Sequence, residues 1–182
     1  MFEEEYFKGR KQLETKHEYE VKQWIRHFGL VERDKVFVHG AGFGQRLHWF
    51  MKLGMNAWGM DVSKYAIKHA YGEARGRMTD WIPCTETSKG WYNLVVSVDV
   101  LEHIESYMAS NELIKLSSLS NNAVYGITYI DNKNFPKDKT HITGKTKEEW
   151  REVLLRYYDR VYDAPANWYE SDMYLVCLRF KK

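Results

Sequence analysis

Val36-Phe37-Val38-His39-Gly40-Ala41-Gly42-Phe43-Gly44, followed about 20 residues later by Gly59-Met60-Asp61, decides how this chain is read. The first four residues suit a buried strand. The glycines at alternate positions suit a tight turn into a helix. Gly59-Met60-Asp61 suits the tip of a second strand that ends in an acid. Such a strand-turn-helix-strand unit builds a crevice for a nucleoside. Glycine lets backbone approach a ligand where a Cβ would collide. A carboxylate at the second strand's tip can accept two hydrogen bonds from a ribose diol. An ordinary strand-to-helix turn competes for the glycines, and a charge at a helix N-terminus competes for Asp61.

Working outward, strands and helices alternate. An amphipathic helix is predicted from Gly9 to Phe28, stopped by Gly29. Strands are predicted at Val36–His39, Asn56–Met60, Met78–Ile82, Leu94–Val98, Ala123–Tyr129, Asp159–Tyr162 and Met173–Phe180. Helices fall at Gln45–Leu53, from a Ser63 cap to Arg75, at Asn111–Leu119, and from Thr146 with its Glu149 capping box to Tyr157. Asp131–Gly144, with Pro136, reads as a loop. The order predicts an α/β fold: a doubly wound, mainly parallel seven-stranded sheet of Rossmann-like type, helices on both faces, and an antiparallel edge strand. The last two strands have no helix between them, which favours antiparallel pairing.

The 182 residues suit one domain, 1–182, with residues 1–30 packing on the core or lidding it. Hydrophobic content is 44% and aromatic content 15%, with 13 Tyr and 7 Trp. Most of these aromatics are expected in the core, including Trp49, Trp58, Trp81, Trp91 and Trp150. Trp168 and Tyr169, in a late loop, are candidates for the rim of a pocket. Net charge is +2 with the signs mixed, so nucleic acid is not favoured as a partner. Cys84 and Cys177 form no CxxC pair, so neither a disulfide nor a metal site is expected, and a reducing cytoplasm fits. Neither a signal peptide nor a bilayer-spanning run is legible.

Three motifs together carry a resemblance: Gly40-Ala41-Gly42-Phe43-Gly44, then Gly59-Met60-Asp61-Val62-Ser63, then Leu94-Val95-Val96-Ser97-Val98-Asp99-Val100-Leu101-Glu102-His103-Ile104. Asp138-Lys139-Thr140-His141-Ile142, ahead of Trp150, is a weaker fourth. From Val36 to Trp150 the chain resembles the class I S-adenosylmethionine-dependent methyltransferases that carry a valine-leucine-glutamate-histidine segment after the fourth strand. The resemblance implies S-adenosyl-L-methionine as donor and S-adenosyl-L-homocysteine as product. It implies that His39, Gly40, Ala41, Gly42 and Gly44 face the methionine and ribose. Asp61 would hold the ribose, Met60 and Val62 the adenine, and Asp80 the adenine amino group. Ser97 and Asp99 would lie near the sulfonium.

Transfer to oxygen or nitrogen can also need a base. His141 and His103 are the candidates, His141 first for the freedom of its loop, with Glu102 orienting a partner or binding the substrate and Tyr129 a further neighbour. The histidines on predicted helices, His17, His27, His48 and His69, read as structural or solvated. The expected acceptor is a small molecule, such as a sugar or polar metabolite. The chain leaves little material for a cap, so a homodimer partner is a candidate to supply one. Two departures from the pattern, Val38 in place of an acid and Asn93 in place of an aspartate, motivate the alternative of a binding module without turnover. An enzyme acting on RNA, DNA or protein is a third reading; the chain lacks an Asn/Asp-Pro-Pro-aromatic signature.

Overall fold

β-branched and aromatic residues that alternate in direction give a sheet with two apolar faces, and both faces are used. In the computed structural model, which describes residues 4–7, 15–84, 89–131 and 138–180, the strands are β1 (Lys35–His39), β2 (Asn56–Met60), β3 (Met78–Thr79), β4 (Leu94–Val98), β5 (Asn122–Gly126), β6 (Arg160–Asp163) and β7 (Tyr174–Leu178). The described residues form one seven-stranded sheet in the order β3-β2-β1-β4-β5-β7-β6. β1 to β5 run parallel. β7 runs antiparallel to both β5 and β6, so the reversed strand sits one place in from the edge. The helices are α1 (Glu4–Phe7), α2 (Thr15–Phe28), α3 (Gln45–Lys52), α4 (Lys64–Lys68), α5 (Ser106–Leu119) and α6 (Lys147–Leu154). No helix among the described residues is long and apolar enough to cross a membrane.

The period of two divides the core cleanly. Val36, Val38, Val96, Val124 and Val176 pack one face against Trp24 of α2 and Leu47 and Phe50 of α3. Phe37, Val95, Tyr125 and Leu175 pack the other face against Leu113 of α5 and Trp150 and Leu154 of α6. Each such side chain, once buried, contributes about 1.5–3 kcal/mol. Cys84 and Cys177 are both free thiols.

Several elements are shorter than the pattern predicts. Ser63 does cap α4, accepting from the Ala66 N–H, but the helix stops at Lys68 rather than near Arg75. The reason is tertiary: the Tyr71 N–H donates to the Phe43 carbonyl at 2.7 Å, drawing the chain onto the glycine loop, and Gly72–Ala74 forms a 3-10 turn there. β3 is two residues long, because the Thr79 hydroxyl donates to the Trp81 carbonyl and turns the chain away. β5 ends at Gly126: one more bond to the β7 side follows, Ile127 N–H to the Met173 carbonyl, and then Thr128 N–H leaves the ladder for the Glu102 carboxylate. α5 begins five residues earlier than expected. Residues 9–14 of the expected first helix, and Pro136 of the expected loop, lie outside the described residues.

Candidate functional site

Parallel strands carry their chain reversals to the same end, and the strand order switches direction between β1 and β4. A crevice opens at that switch point. It holds a cavity of about 480 Å³, in the size range of about 300–1,000 Å³ typical of small-molecule sites. His39, Gly40, Ala41 and Gly42 line it from the end of β1. Met60, Asp61 and Val62 line it from β2, and Asp80, Trp81 and Ile82 from β3. Asp99 is in the left-handed region (φ +55°), a conformation Asp tolerates. That kink ends the alternation of β4, so Val98, Asp99 and Val100 all reach the cavity.

The glycine loop is anchored by Asp61. Its Oδ2 accepts from the Gly42 N–H at 2.8 Å and its Oδ1 from the Ser63 N–H at 2.9 Å. Each oxygen keeps a second lone pair. Burial pushes the Asp61 carboxyl above the ordinary aspartate range, against the pull of those two bonds. The glycines differ in purpose. At Gly42 (φ +56°) an added Cβ would meet only Phe7 and Gln45, each at 3.9 Å, so it would enter the open cavity. At Gly44 (φ +78°) a Cβ would strike the Ala74 Cβ at 2.6 Å. Gly44 lets α3 start and lets the Gly72–Ala74 turn pack beneath it; it does not line the cavity.

The far end is built from imidazoles. His103 lines the cavity, and His141 lies against it with ring centroids 4.6 Å apart, outside the lining. The 138–143 loop is stitched to the segment after β4. Ile142 and Thr143 N–H both donate to the Glu102 carbonyl, at 2.9 and 3.0 Å. His103 Nδ1 contacts the Thr140 carbonyl at 3.1 Å, and a carbonyl can only accept, so Nδ1 carries the proton. Burial lowers the pKa of His103, with the bond to Thr140 opposing. Glu102 is fully buried and off the cavity, with one oxygen accepting from Thr128 N–H at 2.8 Å. Burial, with the charge of Asp99 adding to it, pushes its carboxyl up to about 8. Tyr129 is buried in the core and donates to the Met173 carbonyl.

The floor differs from expectation at two positions. Val38 packs into the core, while His39 bonds Ser97 Oγ at 2.9 Å through Nδ1. Its Nε2 lies 3.4 Å from Glu112 Oε2 of α5. Ser97 therefore sits behind His39 rather than on the cavity. The hydrogen bond from His39 holds the Glu112 carboxyl below its ordinary range, more than burial raises it. A carboxylate thus reaches this end of the cavity from a helix. Asn93 accepts from Lys35 N–H at the opposite end of the sheet, where it ties the start of β1.

Sequence reasoning missed the residues that arrive from the N-terminal segment. Tyr6, Phe7 and His17 line the cavity, so the segment expected to pack on the core or lid it brings side chains to the site. Phe7 packs edge-on to Phe43 at 5.1 Å. Arg46 also lines the cavity, held by buried Glu20 at 2.8 Å, which in turn accepts from the Tyr174 hydroxyl at 2.6 Å. Arg46 stands two residues after Gly44, the one clue the sequence offered. Trp81 lines the cavity and is half exposed, not core; Trp58 and Trp91 are exposed too. Trp168 is core, against Tyr174, and Tyr169 lies on a different groove.

No protein-family model matches the sequence, and no curated protein does. Solved structures do match. A SAM-dependent methyltransferase from Archaeoglobus fulgidus aligns with a TM-score of 0.67 at 17% identity, over 87% of this chain and 76% of that one. Magnesium protoporphyrin IX methyltransferase from Synechocystis, solved with S-adenosylhomocysteine bound, aligns at 0.65 and 17% identity, over 91% and 84%. A TehB-like SAM-dependent methyltransferase from Corynebacterium glutamicum aligns at 0.64 and 15% identity, over 98% and 94%. The chain has the fold these methyltransferases share.

Proposed function

We propose that this protein transfers a methyl group from S-adenosylmethionine to an oxygen or nitrogen of a small polar molecule such as a sugar. The observation that carries this reading is Asp61, whose carboxylate faces a cavity-lining loop with an open position at Gly42. The donor, when bound, supplies an electrophilic methyl on a good leaving group. Asp61 holds the ribose diol with its remaining lone pairs. Met60, Val62, Trp81 and Ile82 offer apolar surface to the adenine, and Asp80 an acceptor for its amino group. Arg46, His39 with Glu112, and His17 present charge and hydrogen bonds at the methionine end.

With such a leaving group the protein's main task is to position the acceptor. His103, Ile104, Met108 and Tyr6 bound the space for it. Between the two candidate bases, the lining position favours His103, with His141 supporting its ring. Burial keeps His103 neutral, the state that takes a proton. Calorimetry with S-adenosylhomocysteine tests the reading: saturable binding that Asp61→Ala weakens is expected, and absence of binding to the pure protein overturns it. Val38 favours a second reading, a binding module without turnover. A methyl-release assay over a panel of acceptors separates the two.

A further inference from the structure

We propose that Glu102, His103 and His141 form a site for a divalent transition-metal ion at the acceptor end of the cleft. One ligand atom from each lies within 4.8 Å of the others, and two of the three residues are buried. Ligand bonds of about 2.1 Å would bring tetrahedral partners to about 3.4 Å from one another, a contraction within reach of side-chain rotation. Glu102 gives the second, independent sign. It is fully buried, one oxygen accepts from Thr128, and the other has no hydrogen-bond partner. A buried carboxylate oxygen left so calls for a proton or a cation.

The shell behind the ligands is already set. Thr140 Oγ1 donates to Asp138 Oδ1 at 2.5 Å and so accepts from His103 Nδ1 at 2.9 Å. The Thr140 carbonyl takes the same proton. Both contacts place the proton on Nδ1 and leave the lone pair on Nε2, the arrangement a ligating histidine needs. Ile142 and Thr143 N–H bonds to Glu102 hold the His141 loop against the other two ligands. Two imidazoles and a carboxylate favour an ion of the zinc type over magnesium, which prefers oxygen. Three protein ligands leave coordination positions open, and His103 borders the cavity. In the loaded form the ion holds the His103 lone pair, so the ion, in place of His103 as base, would acidify an acceptor hydroxyl bound to it; that refinement rests on the methyl-transfer reading, and the ion site itself does not.

The full chain, stripped with a chelator, is titrated with Zn²⁺ by calorimetry, with Co²⁺ as an absorbing substitute and Mg²⁺ as control. One saturable Zn²⁺ site per chain is expected, with Mg²⁺ far weaker. His141→Ala should weaken Zn²⁺ about 100-fold, and Thr140→Val, which removes the hydroxyl behind His103 Nδ1, about 10-fold. Circular dichroism confirms that each variant folds. No uptake of Zn²⁺ or Co²⁺ by the unmodified chain overturns the proposal. So does uptake that His141→Ala leaves unchanged, since the ion then sits on other groups. S-adenosylhomocysteine is titrated into the same samples. Zn²⁺ binding at His141 without nucleoside binding would sustain the ion site and overturn the methyl-transfer reading.

Discussion

The glycine-loop side of the cleft and its imidazole side are held by different kinds of bond. On the first, Asp61 clamps Gly42 and Ser63, partners 19 and 2 residues away within one strand-helix-strand unit. On the second, His103 meets Thr140 across 37 residues, and Glu102 meets Thr128 across 26. The first side uses backbone geometry that glycine makes possible. The second exists only when three separate segments dock. A side built locally can keep one chemistry, while a side built from distant loops can vary its ligand groups at little cost to the fold.

The contrast can be broken or sharpened by substitution. Gly44→Val sets a β-branched residue at φ +78° against Ala74, and should cost about 4 kcal/mol in urea unfolding. Stability within about 1 kcal/mol of the parent would show that the loop is less constrained than its geometry implies. Asp61→Ala removes the charged acceptor, and should lower S-adenosylhomocysteine affinity about 100-fold by calorimetry. His103→Ala is the counterpart on the other side. Methyl transfer should fall about 100-fold while S-adenosylhomocysteine affinity stays within about twofold, which would show that the two sides act independently. Phe7→Ala loosens the roof over Phe43, and should speed S-adenosylhomocysteine dissociation about threefold in stopped-flow measurements.

The smallest effect is a dependence on pH. Because burial raises the Asp61 carboxyl, the folded state holds this proton in a window where the unfolded chain has released it. Its contribution to stability therefore declines as pH rises through that window, from the ordinary aspartate range to the raised value. Nucleoside binding needs the ionised form, so affinity should fall as pH drops through the raised value. Asp61→Asn should flatten both curves, in calorimetry and in thermal unfolding.

Much of the glycine-loop side was legible because its signals are local. β2 falls on Asn56–Met60 and Ser63 caps α4, as the pattern predicts; the same local reading finds the Thr146–Glu149 capping box elsewhere in the chain. Boundaries set by distant partners were not legible. α4 is cut short by Phe43, and β5 by Glu102. The ranking of His141 above His103 rested on loop freedom. Hydrogen bonds joining Thr140, Ile142 and Thr143 to Glu102 and His103 instead fasten that loop behind His103.

The sequence by itself determined the alternation of strand and helix, the position of the crevice and the acid at its lip. Periodicity, glycine and a carboxylate at a strand's end act over a few residues and leave a mark in the order of the chain. Only the tertiary structure decided that Glu112 approaches His39, that Tyr6 and Phe7 are the N-terminal residues lining the cavity beside His17, and that Glu102, His103 and His141 converge. Those meetings depend on packing between segments far apart in the chain, and residue spacing carries no record of them.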